Sequence, residues 1–307
     1  MKKLHLLALL FLSVFVVSCG NDDDTTGTNH QGSQNANKNV VTDEAAVSRL
    51  EFPRLKGGRS IVIVYRTSDN KKYDNDRVNY AVEWDCDKKS QRWSCYQMHQ
   101  GYTGSYSRVV DGYMNDPSLE DGDYWNTDYI YGSGYEHGHI CPNADRKYSY
   151  MANYQTFYMT NMQPQYHKFN GYTNNGGDKG EGLWVRMENK IRDWTPSASS
   201  DTLYVCKGGT IDNESQIIER IKGKLIVPRY FFMACLMKNS MGYRALGFWA
   251  EQQSNEWHDD EPLSDYVVTI DELEKLTGID FFCNLPDNIE VSSINSIYPL
   301  VSDSRTL

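Results

Sequence analysis

The chain reads as an α+β protein with a central antiparallel sheet flanked by helices, and three features of its 307 residues predict that class. Apolar and aromatic runs of strand length recur along most of it. One long amphipathic helical stretch interrupts them. The two kinds of segment mix without the strand–helix–strand rhythm of a parallel sheet.

The elements follow in order. Ser60-Ile61-Val62-Ile63-Val64-Tyr65 is rich in β-branched and aromatic residues, and Val78 to Trp84 is a second such run. Trp93 to His99 is expected to return antiparallel to the second run. Gly101 to Gly134 is polar, rich in Gly, Asp, Asn and Tyr, and without periodicity, as functional irregular stretches are. Thr156 to Thr160 reads as a short strand. Within Gly182 to Trp194, Leu183, Met187, Ile191 and Trp194 fall on one helical face. Arg186, Glu188, Asn189, Arg192 and Asp193 fall on the other, and Pro196 stops the helix. Leu203 to Cys206, Leu225 to Val227, Tyr230 to Met237 and Tyr243 to Ala250 are further strands. Thr269 and Glu272 have capping-box spacing, and Gly278 closes the helix they open.

The N-terminus points to export. Met1-Lys2-Lys3 precedes an apolar run, Leu4 to Val17, too short for a span of about 20 residues and of secretory-signal form. Val16-Val17-Ser18-Cys19 has the look of a lipobox, with Cys19 the lipidated residue of a membrane-anchored, surface-exposed lipoprotein. Residues 20–45 are polar and read as a flexible linker. The expected organisation is therefore a signal at 1–19, a linker at 20–45 and one catalytic domain at 46–307. Six cysteines besides Cys19 suit an exported chain. Cys86 and Cys95 flank a short polar turn and are the expected disulfide, whereas Cys206 and Cys235 lie in apolar runs as buried thiols. The net charge of −10 excludes a generally basic nucleic-acid binder, but not local phosphate contacts.

Chemistry concentrates in Gly134-Tyr135-Glu136-His137-Gly138-His139-Ile140-Cys141-Pro142-Asn143-Ala144-Asp145-Arg146. The motif alone leaves three readings open. His137, His139 and Cys141 alternate along a strand as ligands of a catalytic zinc would. One histidine held beside a hard metal could serve as a general base. Both histidines could be structural.

Further on stand Thr156-Phe157-Tyr158-Met159-Thr160-Asn161-Met162-Gln163-Pro164-Gln165, then Phe169-Asn170, then Trp184-Val185-Arg186-Met187-Glu188. Upstream, Arg108 precedes Asn115-Asp116-Pro117. Downstream lies Glu272 to Phe282. In this order the set resembles the DNA/RNA non-specific endonuclease family, across about Ile61 to Pro286. The resemblance implies a ββα-metal (His-Me finger) fold and phosphodiester hydrolysis of DNA and RNA that leaves 5′-phosphate ends. It implies His139 as general base and Asn170 as the direct ligand of Mg²⁺, with Mn²⁺ a substitute. It implies Glu188 as the holder of metal-bound waters, Arg108 as a phosphate contact and Asn161 as a support of the metal-bearing loop. Glu136 and His137 fall on the substrate side, and Gln163-Pro164-Gln165 is expected to be a turn positioning that loop.

Two departures stand out. The family shows Asp-Arg-Gly-His where this chain has Glu136-His137-Gly138-His139, so a neutral-or-charged imidazole replaces a fixed cation and rate should depend more on pH. Gly171 to Gly180 is an insertion of flexible composition beside the metal loop. Two other functions fit less of the pattern: a binding lipoprotein on a degenerate nuclease scaffold, and a zinc hydrolase using His137, His139 and Cys141.

Overall fold

The computed structural model describes residues 35–72, 74–102, 104–120, 129–173, 180–252, 257–258, 261–286 and 288–289. The signal-like segment with Cys19, the first part of the linker and residues 174–179 of the insertion lie outside the described residues.

Three strands come first: β1 (Ser60–Arg66), β2 (Val78–Asp85) and β3 (Ser90–Met98). After the irregular stretch come β4 (Glu136–His139), helix α1 (Tyr150–Gln155) and β5 (Met162–Gln165). The short helix α2 (His167–Asn170) leads through β6 (Tyr172–Thr173) and β7 (Gly180–Glu181) to helix α3 (Leu183–Asp193). Next stand β8 (Thr202–Gly209), β9 (Ile217–Ile221), β10 (Leu225–Pro228), β11 (Tyr230–Asn239) and β12 (Gly242–Glu251). Strand β13 (Val267–Val268) and helix α4 (Ile270–Thr277) follow.

Seven strands form one antiparallel sheet in the order β1-β2-β3-β8-β11-β12-β13. Both faces are covered. Phe231, Met233, Cys235 and Met237 of β11 join one core with Trp184, Met187 and Ile191 of α3. Phe232, Ala234 and Leu236 join the opposite core with Ile270 and Leu273 of α4. A strand buried on both faces needs no polar alternation, which is why these strands read as continuous apolar runs. Helix α4 starts and stops as its sequence dictates. The Thr269 hydroxyl accepts from Glu272 N at 3.2 Å, and Gly278 closes the helix at φ 71°.

Several expectations need correction. Thr156 to Thr160 is not a strand: it ends α1 and enters a 3₁₀ turn at Met159–Asn161. Gln163-Pro164-Gln165 is not a turn but most of β5. Cys86 and Cys95 are not bridged. Cys95 pairs with Ala81, five residues up β2 from Cys86, so at about 3.3 Å per residue the two lie roughly 16 Å apart. A disulfide needs Cα atoms within about 7 Å. Cys95, Cys141, Cys206 and Cys235 are buried thiols. The linker is shorter than expected, because packing begins near Asn35. Asn39 is 5% exposed and donates to the Val47 and Pro53 carbonyls, while its Oδ1 accepts from Leu55 N. The insertion opens as a small hairpin, β6 against β7. No helix among the described residues is long and apolar enough to cross a membrane.

Candidate active site

Strands β4 and β5 pair antiparallel beside the main sheet, His137 opposite Pro164 and His139 opposite Met162. Gly138 has to be glycine here: a Cβ on it would lie 2.1 Å from Gln165 Oε1. Chain order then places α2, with Asn170, and α3, with Glu188, directly after this β-pair. Within α3 a spacing of four puts Trp184 and Glu188 on one face. The Trp184 indole donates to the His139 carbonyl at 3.2 Å, so the same helix that carries Glu188 also fixes the backbone of His139.

Arg108 arrives from the irregular stretch. That stretch is tied down by Met114 N to Phe157 O and Met159 N to Met114 O, at 3.0 and 2.8 Å. Below them the buried Asp116 accepts from Tyr65 and Thr160 hydroxyls. Arg108 itself holds φ 45°, a left-handed backbone that costs a side-chain-bearing residue about 1–3 kcal/mol and that recurs at functional sites. Its guanidinium lies 5.5 Å from the Phe157 ring centroid and 6.0 Å from that of Tyr113.

These segments enclose a cavity of about 620 Å³ lined by Arg108, Glu136, His137, His139, Asn170 and Glu188 among others. Six of the seven sequence-predicted site residues of the domain therefore meet in one place. The seventh, Asn161, does not reach it. Its amide is fully used: Oδ1 accepts from Cys141 N, and Nδ2 donates to the Cys141 and Thr156 carbonyls, each at 2.8 Å. It braces the chain just past His139 rather than the loop that carries Asn170.

The groups differ in charge state for stated reasons. Burial, with Arg108, His137 and Lys207 nearby, pushes the His139 imidazole down to about 3. The ring is therefore neutral at physiological pH. One of its nitrogens hydrogen-bonds the His137 backbone, and Nε2 is shielded and has no partner among the described residues. A neutral imidazole with an unused nitrogen can take a proton. Glu188 goes the other way: burial raises its carboxyl, against the pull of Lys207 and Arg192. Lys207 Nζ sits 2.8 Å from Glu188 Oε1 and 4.5 Å from the centroid of the Trp184 ring. Behind them Arg192 pairs with Asp145 at 2.6 Å, and Tyr96 donates to Asp145 at 2.8 Å.

Two predicted roles change. Glu136 was expected on the substrate side, yet its carboxylate already accepts from Asn170 Nδ2 at 3.0 Å and pairs with His167. A carboxylate also repels phosphate, so Glu136 orients Asn170 and turns its amide oxygen into the available donor. Glu188 is not on a solvated face, being 8% exposed. His137 lines the cavity, but its ring stacks on Tyr113 at 3.9 Å and 13°, with Tyr131 at 4.7 Å. The zinc arrangement is not assembled. Cys141 lies in the apolar core against the main sheet, and no cluster of three His, Cys, Asp or Glu side chains suited to a metal exists among the described residues. An amide and a carboxylate lining one cavity are oxygen donors that suit a hard cation keeping most of its waters. Sequence reasoning missed Lys207, Tyr113, Tyr131 and His167. Lys207 had a signal: a lysine inside an otherwise apolar strand needs a buried partner.

Comparison with known proteins identifies the family and the fold. The family model for DNA/RNA non-specific endonucleases matches residues 57–288. A nuclease of Nostoc sp. (strain PCC 7120 / SAG 25.82 / UTEX 2576) is 31% identical over 233 residues, 74% of this chain and 78% of the relative. The mitochondrial nuclease EXOG of Homo sapiens is 26% identical over 232 residues, 72% of this chain and 60% of the relative. Mitochondrial endonuclease G of Bos taurus is 26% identical over 222 residues, covering 68% of this chain and 69% of the relative. An EndoG/EndoGI complex shares the fold, with a TM-score of 0.54 at 19% identity over 74% of this chain and 88% of that chain.

Proposed function

The chain belongs to the DNA/RNA non-specific endonuclease family, and from that premise we propose that it is a metal-dependent endonuclease hydrolysing phosphodiester bonds in DNA and RNA with little sequence preference. One observation carries the reading. His139, Arg108, Asn170 and Glu188, from four separate stretches, line one open cavity, and the shielded Nε2 of His139 has no hydrogen-bond partner among the described residues.

His139 Nε2 takes the proton of the attacking water, general-base help worth about 10²–10⁴-fold. The His137 backbone and Trp184 hold its ring and main chain in place. Arg108 offers a planar fork to the phosphate oxygens. Asn170 Oδ1 would hold Mg²⁺ (or Mn²⁺), with Glu188 on the metal's waters. When bound, that ion neutralises phosphate charge and steadies the leaving oxygen. Glu136 keeps Asn170 turned the right way, and Lys207 keeps Glu188 fixed by occupying one of its oxygens. The test is degradation of plasmid DNA and total RNA with Mg²⁺ or EDTA, beside Asn170→Ala. Metal-dependent cleavage of both polymers, weakened by Asn170→Ala, is expected. Cleavage that persists in EDTA would overturn the metal's role.

The same reading extends to location. Export, lipidation at Cys19 and attachment to a membrane surface follow from the lipobox sequence. Cys19→Ala should move the protein from the membrane to the soluble fraction and abolish labelling by palmitate. An unlabelled wild type would contradict the anchor.

A further inference from the structure

Beside the cavity of His139 lies a second concavity of about 220 Å³, and the two share Tyr131, Gly132 and Tyr135 as a common wall. We propose that this second concavity is a subsite for a further nucleotide of the bound strand, with Tyr131 the surface on which its base stacks and Lys222 the contact to its phosphate. The proposal rests on the nuclease reading of the first cavity and adds a strand path away from it.

Tyr131 is 56% exposed, although it belongs to an ordered ladder of rings. His137 lies 4.7 Å from it, and His137 in turn stacks on Tyr113. The ladder supports one side of Tyr131 and leaves the ring available at the ridge between the two concavities. A ring already held by neighbours loses little freedom when a base lands on it. Stacking of this kind is worth about 1–3 kcal/mol per base and accepts any base, which suits a nuclease without sequence preference.

Lys222 follows β9 at φ 52°, and its ammonium lies 4.9 Å from the Tyr129 ring centroid. Glu219, the acidic residue of this lining, accepts from the Tyr135 hydroxyl at 2.7 Å and keeps its negative charge, so a phosphate is held on the Lys222 side. The concavity thus offers one aromatic platform and one cation, the pairing that single-stranded nucleic acid requires. It lies beside the cavity that Arg108 and His139 line.

The test compares substrate lengths in the full-length protein. Wild type, Tyr131→Ala, Tyr131→Phe and Lys222→Ala are assayed on a long single-stranded oligonucleotide and on bis(p-nitrophenyl) phosphate, which has no neighbouring nucleotide. The ratio of kcat/KM between long and short substrates should fall about tenfold in Tyr131→Ala, equivalent to about 1.4 kcal/mol, and be restored by Tyr131→Phe. Binding of the labelled oligonucleotide to His139→Ala in EDTA gives a readout without catalysis. There Lys222→Ala should reduce the slope of log K against log salt by about 0.7, the value for one phosphate contact on a single strand. An active wild type whose length ratio and salt slope are unmoved by these substitutions would overturn the subsite alone. A wild type inactive on both substrates would overturn the nuclease reading, and the subsite with it.

Discussion

Burial acts on His139 and Glu188 in opposite senses: it keeps the imidazole neutral and pushes the carboxyl up toward its neutral form. The imidazole is thus unprotonated and available as a base, though the same burial weakens its basicity. The acid limb of kcat/KM should therefore fall well below pH 6.5, with cleavage sustained at pH 5; a midpoint at or above 6.5 would contradict the neutral, buried base. The carboxylate does need help, and Lys207, 1% exposed, provides it. Removing one partner of a buried pair leaves the other uncompensated, at a cost of about 3–5 kcal/mol. Lys207→Met should lower the urea midpoint accordingly, and adding Glu188→Gln should recover part of the loss. A Lys207→Met protein within about 0.5 kcal/mol of wild type, the range of ordinary surface substitutions, would show that the pair does not matter.

At the scale of elements, the β4–β5 pair and α3 set the site. Gly138→Ala must displace the fully buried Gln165 side chain, and overpacking of this kind costs about 1–3 kcal/mol. Because the displacement falls between His137 and His139, cleavage should drop along with thermal stability; an unaltered Tm and rate would remove this account of the glycine. Much of this level was legible in the sequence. Strands buried on both faces announced themselves as apolar runs, the apolar stripe and Pro196 bounded α3, and Thr269 and Gly278 bounded α4. Where local signals competed with tertiary pairing, reading failed. Gln163-Pro164-Gln165 looked like a turn, yet Pro164 is tolerated in β5 because that strand belongs to a two-stranded ladder with open edges. Cys86 and Cys95 flanked a real hairpin, but register, which a sequence does not display, set them apart. Arg108, Asn170 and Glu188 were found only through their order in a family pattern, since each alone resembles a surface or turn residue. Glu136 showed its carboxylate but not its partner, Asn170.

At the scale of the whole molecule, the described residues form a sheet with a core on each face and the site at one side. Asn39 ties the segment that looked like linker to Val47, Pro53 and Leu55 through three hydrogen bonds. Asn39→Ala should cost about 1–3 kcal/mol, as an unsatisfied buried group does, and a chain begun at Ala46 should be less stable than one that keeps Asn35. Stability should also follow pH through the histidines. Burial lowers His99 to about 4 and His139 to about 3, both below the ordinary 6.5, so each is neutral in the fold. Their contribution is present in full above pH 6.5 and is lost as the solution is acidified toward those values. The most direct test of the account is cleavage of plasmid DNA in Mg²⁺ by wild type and His139→Ala at equal folded concentration. The account predicts a wild type that degrades the DNA and a variant slower by about 10²–10⁴-fold. A variant that cleaves as fast as wild type would contradict it.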